Sequence, residues 1–313
     1  MKRLLAFVCA LVMLVAAQNV VFADKAEAAG ISSLEASKLI GMSYATMVKT
    51  YGYPNRKEPS EYGFTWCVYN SDYSNFFMAG VSGGKVVALY TSAKVMSYRG
   101  KVKYNYTRTT VRKAMGSPIS YVQSNNTIMV LNKRNERDYF KASSNYVIVF
   151  YDNIAGGKVT SMLVIPQAHQ NNVLLNLPVL NSSLERAYER ISVDLVNASR
   201  VRRGLKKLAN DAMDAKLALS RSQDMRDRDY FDHYTPAPEH LSPFDQARRM
   251  GIRFSSMGEN IAYGDHNAIF AHESFMNSSG HRNNVLKSTY TKIGAGVAYG
   301  SSRYVLLTNI FTR

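Results

Sequence analysis

Three side chains in the last third of this chain have the types and the spacing for metal binding or proton transfer: His233, Glu259 and His281. They sit in Tyr230-Phe231-Asp232-His233, in Gly258-Glu259-Asn260-Ile261-Ala262 and in Asn277-Ser278-Ser279-Gly280-His281-Arg282. Imidazole and carboxylate are the groups that ligate a divalent ion or move a proton near neutral pH. Two neutral imidazoles and one carboxylate would leave open positions on Zn2+ or another divalent cation for water or substrate. Without a metal, Glu259 would orient and charge-support a histidine acting as base. The plainer alternative makes His233 a surface loop residue, His281 the cap of a helix end and Glu259 an acceptor of turn amides.

These residues need elements to hold them. Ser182-Ser183-Leu184-Glu185 has capping-box spacing, and Leu184, Tyr188, Ile191 and Leu195 follow at helical intervals. Asp211 can cap a second helix reaching about Arg228, and His233 follows its end. Ser242-Pro243 gives an N-cap with proline at the first helical position, and Gly251 follows as a stop. Asp265 is read as the cap of a fourth helix reaching Asn277, with His281 just beyond it. Glu259 opens a strand over Glu259 to Tyr263, and Ile293, Ala295, Val297 and Tyr299 alternate as another. Gly300-Ser301-Ser302 then turns the chain into a last strand, Tyr304 to Phe311. Gly258 is expected at a close turn with positive φ. Helices followed by an antiparallel ending predict a sheet covered by helices.

Residues 31–165 carry an internal repeat. Gly52-Tyr53-Pro54 recurs as Gly116-Ser117-Pro118, and Gly83-Gly84-Lys85-Val86 as Gly156-Gly157-Lys158-Val159. Each Gly-x-Pro follows a short helix, Tyr44 to Thr50 or Thr109 to Met115. Each Gly-Gly joins two strand-like runs as a tight hairpin, because glycine accepts positive φ. The second copy has an insertion within Val122 to Lys141. Trp66 anchors the core of this unit. The polar segment 166–181, starting at Pro166, reads as an interdomain linker, with His169 solvated.

The segment 184–313 resembles the CAP superfamily (SCP domains: cysteine-rich secretory, antigen 5 and pathogenesis-related proteins), in its disulfide-free bacterial branch. The matching text is Leu195-Val196-Asn197 with Arg200 and Arg203-Gly204-Leu205, Phe231-Asp232-His233, Ser242-Pro243-Phe244-Asp245 through Gly251, Gly258 to Ala262, Met276 to Arg282, and Ile293-Gly294-Ala295-Gly296-Val297-Ala298. Residues 31–165 are similar to the N-terminal domain found beside CAP domains in Gram-positive bacteria, through Ile40-Gly41, Gly52-Tyr53-Pro54, Trp66-Cys67-Val68-Tyr69-Asn70 and Gly80-Val81 before Lys85-Val86. The resemblance implies an α+β chain: a C-terminal three-layer α-β-α sandwich (residues 182–313) preceded by a two-repeat α+β domain. It also implies a cleft with a two-His, two-Glu tetrad that takes a divalent ion in many members. His233, Glu259 and His281 match three of the four positions. Members with the full tetrad have a glutamate three residues after a tryptophan, where this chain has Ser278 and Phe275. Glu273 is the nearest carboxylate, but five positions from Ser278 is about 140° of helix rotation, so it need not face the cleft. His272 is read as solvent-facing.

Composition bounds the rest. At 46% hydrophobic, with 21 Tyr and 13 Phe, 313 residues suffice for two cores and exclude a disordered chain. Lys2 and Arg3 before the apolar run Leu4 to Ala17 read as a signal peptide over residues 1–29, cleaved after Ala23 or Ala28. Export would leave Cys67 as the one thiol, so no internal disulfide forms. The net charge of +16, spread over both halves, suits adhesion to an anionic wall polymer or a membrane surface; no clustered module for nucleic acid is present. Gly80-Val81-Ser82-Gly83-Gly84 matches a serine-hydrolase pattern but ends in a hairpin turn. With no activated nucleophile, the sequence favours a secreted or wall-associated binding protein over an enzyme. Its cleft would take a lipid-like or peptide ligand. The rival readings are a metal- or His/Glu-dependent hydrolase and a non-catalytic adhesion or signalling scaffold.

Overall fold

The computed structural model describes residues 31–313 except 125–126, 132–134, 177–180 and 300–304. The expected signal peptide and its cleavage sites, the Gly300-Ser301-Ser302 turn and Tyr304 lie outside the described residues.

The chain opens with β1 (Leu34–Glu35), α1 (Ala36–Leu39), α2 (Tyr44–Tyr51), β2 (Arg56–Pro59), β3 (Thr65–Tyr69), β4 (Phe77–Ser82), β5 (Lys85–Thr91), β6 (Met96–Tyr98), β7 (Val102–Lys103) and α3 (Arg108–Met115). The hairpin β8 (Tyr121–Ser124) and β9 (Thr127–Val130) follows, occupying part of the insertion, and then β10 (Arg137–Ala142), β11 (Asn145–Asp152) and β12 (Lys158–Pro166). Seven strands form one antiparallel sheet in the order β10-β11-β12-β5-β4-β3-β2.

The repeat is a repeat of geometry. Ser43 and Thr107 cap α2 and α3 with their hydroxyls, and Gly52 and Gly116 end them at φ 79° and 90°. Ser43 bridges Lys85 as Thr107 bridges Lys158. Gly83, Gly84, Gly156 and Gly157 all have positive φ, which is why the two hairpin turns need glycine pairs.

Both faces of this sheet are buried, because side chains alternate along each strand. On β11, Val147, Val149 and Tyr151 pack with Met47 of α2 and Val111 of α3, while Tyr146, Ile148 and Phe150 face the other way. Most of the segment read as a linker is instead helix α4 (Gln167–Asn176). Val173 and Leu174 bury against the second face, which is what holds these polar residues in a helix. His169 is half-buried beside the Phe64 ring rather than solvated.

The second half contains α5 (Ser182–Val201), β13 (Ala209–Asn210), α6 (Ala212–Asp227), α7 (Pro243–Arg249), β14 (Met257–Tyr263), α8 (Ala268–Met276), α9 (Ser279–Leu286), β15 (Lys292–Tyr299) and β16 (Val305–Thr312). Its sheet runs β13-β15-β16-β14. Val193 and Val196 of α5 and Val285 of α9 pack on one face with Ile293, Ala295 and Phe311. Leu217 and Ala218 of α6 and Ala247 of α7 pack on the other with Met257 and Ile310. This is the expected α-β-α sandwich. Gly294 and Gly296 admit α6 at close range: a Cβ on either would lie 2.0 Å from the backbone nitrogen of Ala215 or Leu219.

Two caps differ from the sequence reading. Asn181, not Ser182, caps α5, accepting from the Ser183 and Leu184 amides; Asn267, not Asp265, caps α8. In each case an asparagine oxygen reaches the orphan amides from the position the helix start requires. The stop after Met276 is followed at once by α9, so His281 lies inside a helix rather than beyond one.

The two halves share one core. Trp66, Tyr90 and Phe150 belong to the same apolar cluster as Leu184, Tyr188, Phe270 and Phe275, so α5 and α8 are sandwiched between two sheets. Ion pairs bind the rim: Glu58 takes Arg190 at 2.6 Å, and Asp152 takes Arg282 at 2.8 Å and Arg203 at 3.1 Å.

Candidate functional site

β14 is the edge strand of the second sheet, and Glu259 points from it towards α6. There the carboxylate meets Arg221, which the α6 stripe of Leu217, Ala218, Ser222 and Met225 carries into the interior, fully buried. Arg221 Nε donates to Glu259 Oε2 at 3.0 Å. Its Nη1 donates to the Tyr230 hydroxyl at 2.9 Å. Its Nη2 donates to the Asp232 and His233 carbonyls at 2.8 and 2.9 Å. One guanidinium thus holds both the carboxylate and the loop that presents His233. The Tyr230 hydroxyl in turn donates to Asp224 of α6.

His233 Nδ1 lies 2.8 Å from Glu259 Oε1. An ionised carboxylate only accepts, so Nδ1 carries the hydrogen and Nε2 is the other face of the ring. The His233 side chain is 48% exposed while that of Glu259 is 2% exposed. The hydrogen bond to Glu259 raises the His233 pKa above its ordinary value, against the opposing effect of burial. His281 moves the other way: burial lowers its pKa, and the charge of nearby His233 lowers it further.

The structure therefore joins His233 and Glu259 directly and brings His281 within electrostatic reach of His233. The His281 ring lies tilted against Phe275 with centroids 5.0 Å apart, and its carbonyl accepts from Asn260 Nδ2 at 3.0 Å. Asn284 Nδ2 completes the strand-to-helix link, donating to the Glu259 carbonyl at 3.1 Å and to Asn260 Oδ1 at 2.9 Å. Gly258 lacks the expected positive φ. It is needed instead for close approach: a Cβ there would lie 2.5 Å from the Tyr290 hydroxyl and 2.7 Å from Asn284 Oδ1.

Glu273 is on the far side of α8. It is buried, accepts from Tyr90 at 2.9 Å and from Ser161, and belongs to the interface with the first sheet. His272 is buried too, not solvent-facing, with Nε2 2.8 Å from Ser199 Oγ. Ser278 occupies the N-cap position of α9 without making a side-chain cap. The serine-hydrolase pattern is absorbed by β4 and the turn after it, with no strand-to-helix elbow. Cys67 is buried core.

Divalent metal needs a converging donor set. Among the described residues no three His, Cys, Asp or Glu side chains form one. Glu259 has one oxygen on Arg221 and the other on His233, so it acts as the orienter of an imidazole rather than as a free ligand. The arrangement does not fit the expected three-ligand site.

Sequence reasoning missed Arg221. The available signal was an arginine in the apolar stripe of α6, where a long charged side chain is retained only if it is paired. Also unremarked were the aromatic neighbours. Phe231 and Tyr263 are 47% and 44% exposed, and their rings lie 5.7 Å apart. Tyr263 lies four residues along the same face of β14 as Glu259, and Phe231 precedes His233 by two residues in the loop that Arg221 holds, so the ring pair joins the strand and the loop that carry the dyad.

Comparison with known proteins agrees with the two-part fold. The family model for the cysteine-rich secretory protein family matches residues 193–312, and that for the CAP-associated N-terminal domain matches residues 40–173. Protein YkwD of Bacillus subtilis is 30% identical over 244 residues, covering 71% of this chain and 94% of that protein. The membrane protein YlbC of the same organism is 28% identical over 269 residues, covering 80% and 77%. The solved structure of an extracellular SCP-domain protein from Bacillus anthracis superposes with a TM-score of 0.77 at 25% identity, covering 90% of this chain and 96% of that one.

Proposed function

We propose that this chain, which belongs to the cysteine-rich secretory protein (CAP) family and carries the CAP-associated N-terminal domain, binds an amphipathic small molecule or a peptide end beside His233. The observation that carries this reading is that the strand and the loop joined by the exposed Phe231–Tyr263 ring pair also carry a half-exposed imidazole whose other nitrogen is fixed by Glu259. Exposed aromatic rings supply apolar contact area at low entropic cost, and a tethered imidazole offers one directional polar contact. The apolar part of the ligand lies over the rings and its polar head meets His233 Nε2. The extracellular Bacillus anthracis relative supports a site of action outside the cell.

Mass spectrometry of small molecules that copurify with the protein from its native host tests the proposal. A bound amphipathic compound is expected, and it is lost in Phe231→Ala/Tyr263→Ala and in His233→Ala. A ligand retained by all of these variants refutes the site. The second reading, hydrolysis, is favoured by one feature: Glu259 fixes the neutral tautomer in which Nε2 is a base. Turnover of a peptide or ester library that disappears with Glu259→Gln would establish it.

A further inference from the structure

The first domain has a charge distribution that its fold does not require. Residues 31–176 contain 17 Lys and Arg against 7 Asp and Glu. Of those seven carboxylates only Asp72 is exposed. Glu58, Asp138 and Asp152 are buried in ion pairs, and Glu136 is buried beside Arg137. The layer of α1, α2, α3 and β6–β7 covers the sheet face turned away from the CAP domain. Exposed charges on this layer and at its edge include Lys49 of α2, Lys113 of α3, Arg99 and Lys101 between β6 and β7, and Lys85 and Lys158 at the starts of β5 and β12, and none of these elements carries an exposed carboxylate.

The repeat sets part of this charge in duplicate. Lys49 and Lys113 occupy the same position in α2 and α3, each two residues after the buried anchor Met47 or Val111. Two residues of helix turn the side chain about 200°, from the sheet to solvent. Lys85 and Lys158 follow the two Gly-Gly turns and bridge the two helix caps, Ser43 and Thr107. None of the four has an ion-pair partner among the described residues. Unpaired like charges raise the energy of a compact domain and bind counterions, which a polyanion releases on binding. The helices and β6–β7 present no exposed large apolar side chain; Tyr53 after α2 and Ile154 before the second glycine pair are the exposed ones beside this layer, singly placed rather than a patch for insertion into a bilayer.

We propose that this outer layer is a docking surface for a linear polyanion, a polymer with anionic groups repeated along it, held by the duplicated lysines. The proposal is independent of the ligand reading at His233.

The probe is long-chain inorganic polyphosphate, titrated against the full chain at several salt concentrations. The combined variant Lys49→Glu, Lys85→Glu, Lys113→Glu, Lys158→Glu removes the duplicated set. The control Lys206→Glu, Lys207→Glu, Lys216→Glu, Arg253→Glu makes the same charge change on exposed CAP-domain positions. Removing four contacts is expected to weaken binding at least ~tenfold at low salt and to flatten the log–log salt slope by about 3. The control is expected to keep the parent slope. Unaltered melting temperatures and far-UV circular dichroism show that the fold is intact. Equal loss in both variants would overturn the proposal, because net charge alone would then account for binding. Absence of polyphosphate binding, or tighter binding to phosphatidylglycerol vesicles than to the polymer, would overturn the proposal.

Discussion

Replacing Arg221 by methionine tests the link between fold and site most directly. Methionine fills much of the same volume and removes the guanidinium from Glu259, Tyr230 and the Asp232 and His233 carbonyls. The Glu259 carboxylate would remain 98% buried with its fixed cation gone, since the Glu259 side chain is 2% exposed. Removing one partner of a buried ion pair costs about 3–5 kcal/mol. The three other hydrogen bonds are not simply additive with that, so we expect a total near 4 kcal/mol, a large part of the stability of an ordinary domain. Urea denaturation of Arg221→Met, Glu259→Gln and the double variant measures it. The double variant should be less destabilised than the sum of the singles by at least ~1.5 kcal/mol, because each single strands the other group. The NMR titration of His233 gives a second readout. Arg221 holds the His233 pKa down, so it should rise in Arg221→Met, and it should fall in Glu259→Gln, which loses the raising partner. A cost below ~1 kcal/mol, or strict additivity, would refute the claim that this guanidinium organises the site.

Further outcomes follow from the same geometry. Gly258→Ala should cost about 1–3 kcal/mol, because the side-chain ends of Tyr290 and Asn284 must give way, whereas Gly296→Ala meets the α6 backbone and should cost more; calorimetric melting ranks the two, and the reverse order would disprove the packing argument. Glu61 accepts from Asn267 across the domain interface, and burial pushes its carboxyl up to about 7. Its folded pKa lies above the unfolded value, so its relative stability is greatest in acid and declines as pH rises towards 7. Glu61→Gln should therefore raise the melting temperature at pH 8 and leave it nearly unchanged at pH 4; the opposite pattern excludes this role. For His233 the raised pKa means that its pairing with Glu259 contributes fully below the unfolded value of about 6.5 and fades as pH rises through the folded one. His281, lowered, contributes above that value and loses its contribution as pH falls through its folded pKa. Single-histidine NMR titrations check both directions.

Local patterns in the chain were enough for much of this architecture. The Gly-Gly-Lys-Val and Gly-x-Pro pairs marked the repeat because hairpin turns and helix ends need residues that accept positive φ, as Gly83, Gly84, Gly156, Gly157, Gly52 and Gly116 do. Ser242-Pro243 marked α7 because an N-cap serine and an N1 proline are adjacent in the chain, and the structure adds Asp245 to close a capping box. Residue type and order singled out His233, Glu259 and His281 but left open a metal site, a Glu259-oriented histidine and plain turn or cap roles. Tertiary structure decided everything that depended on which face meets which. Arg221 matters because α6 turns it onto β14, and Glu273 leaves the cleft because α8 is sandwiched against the first sheet. Gly258 is constrained by Tyr290 and Asn284 across space, not by its own dihedral. The assumed linker is mostly helix because Val173 and Leu174 find a shared core that no local pattern encodes. Contacts between residues far apart in the chain carry no short-range signature, so only the packed fold shows which carboxylate is oriented, by what, and towards which ring.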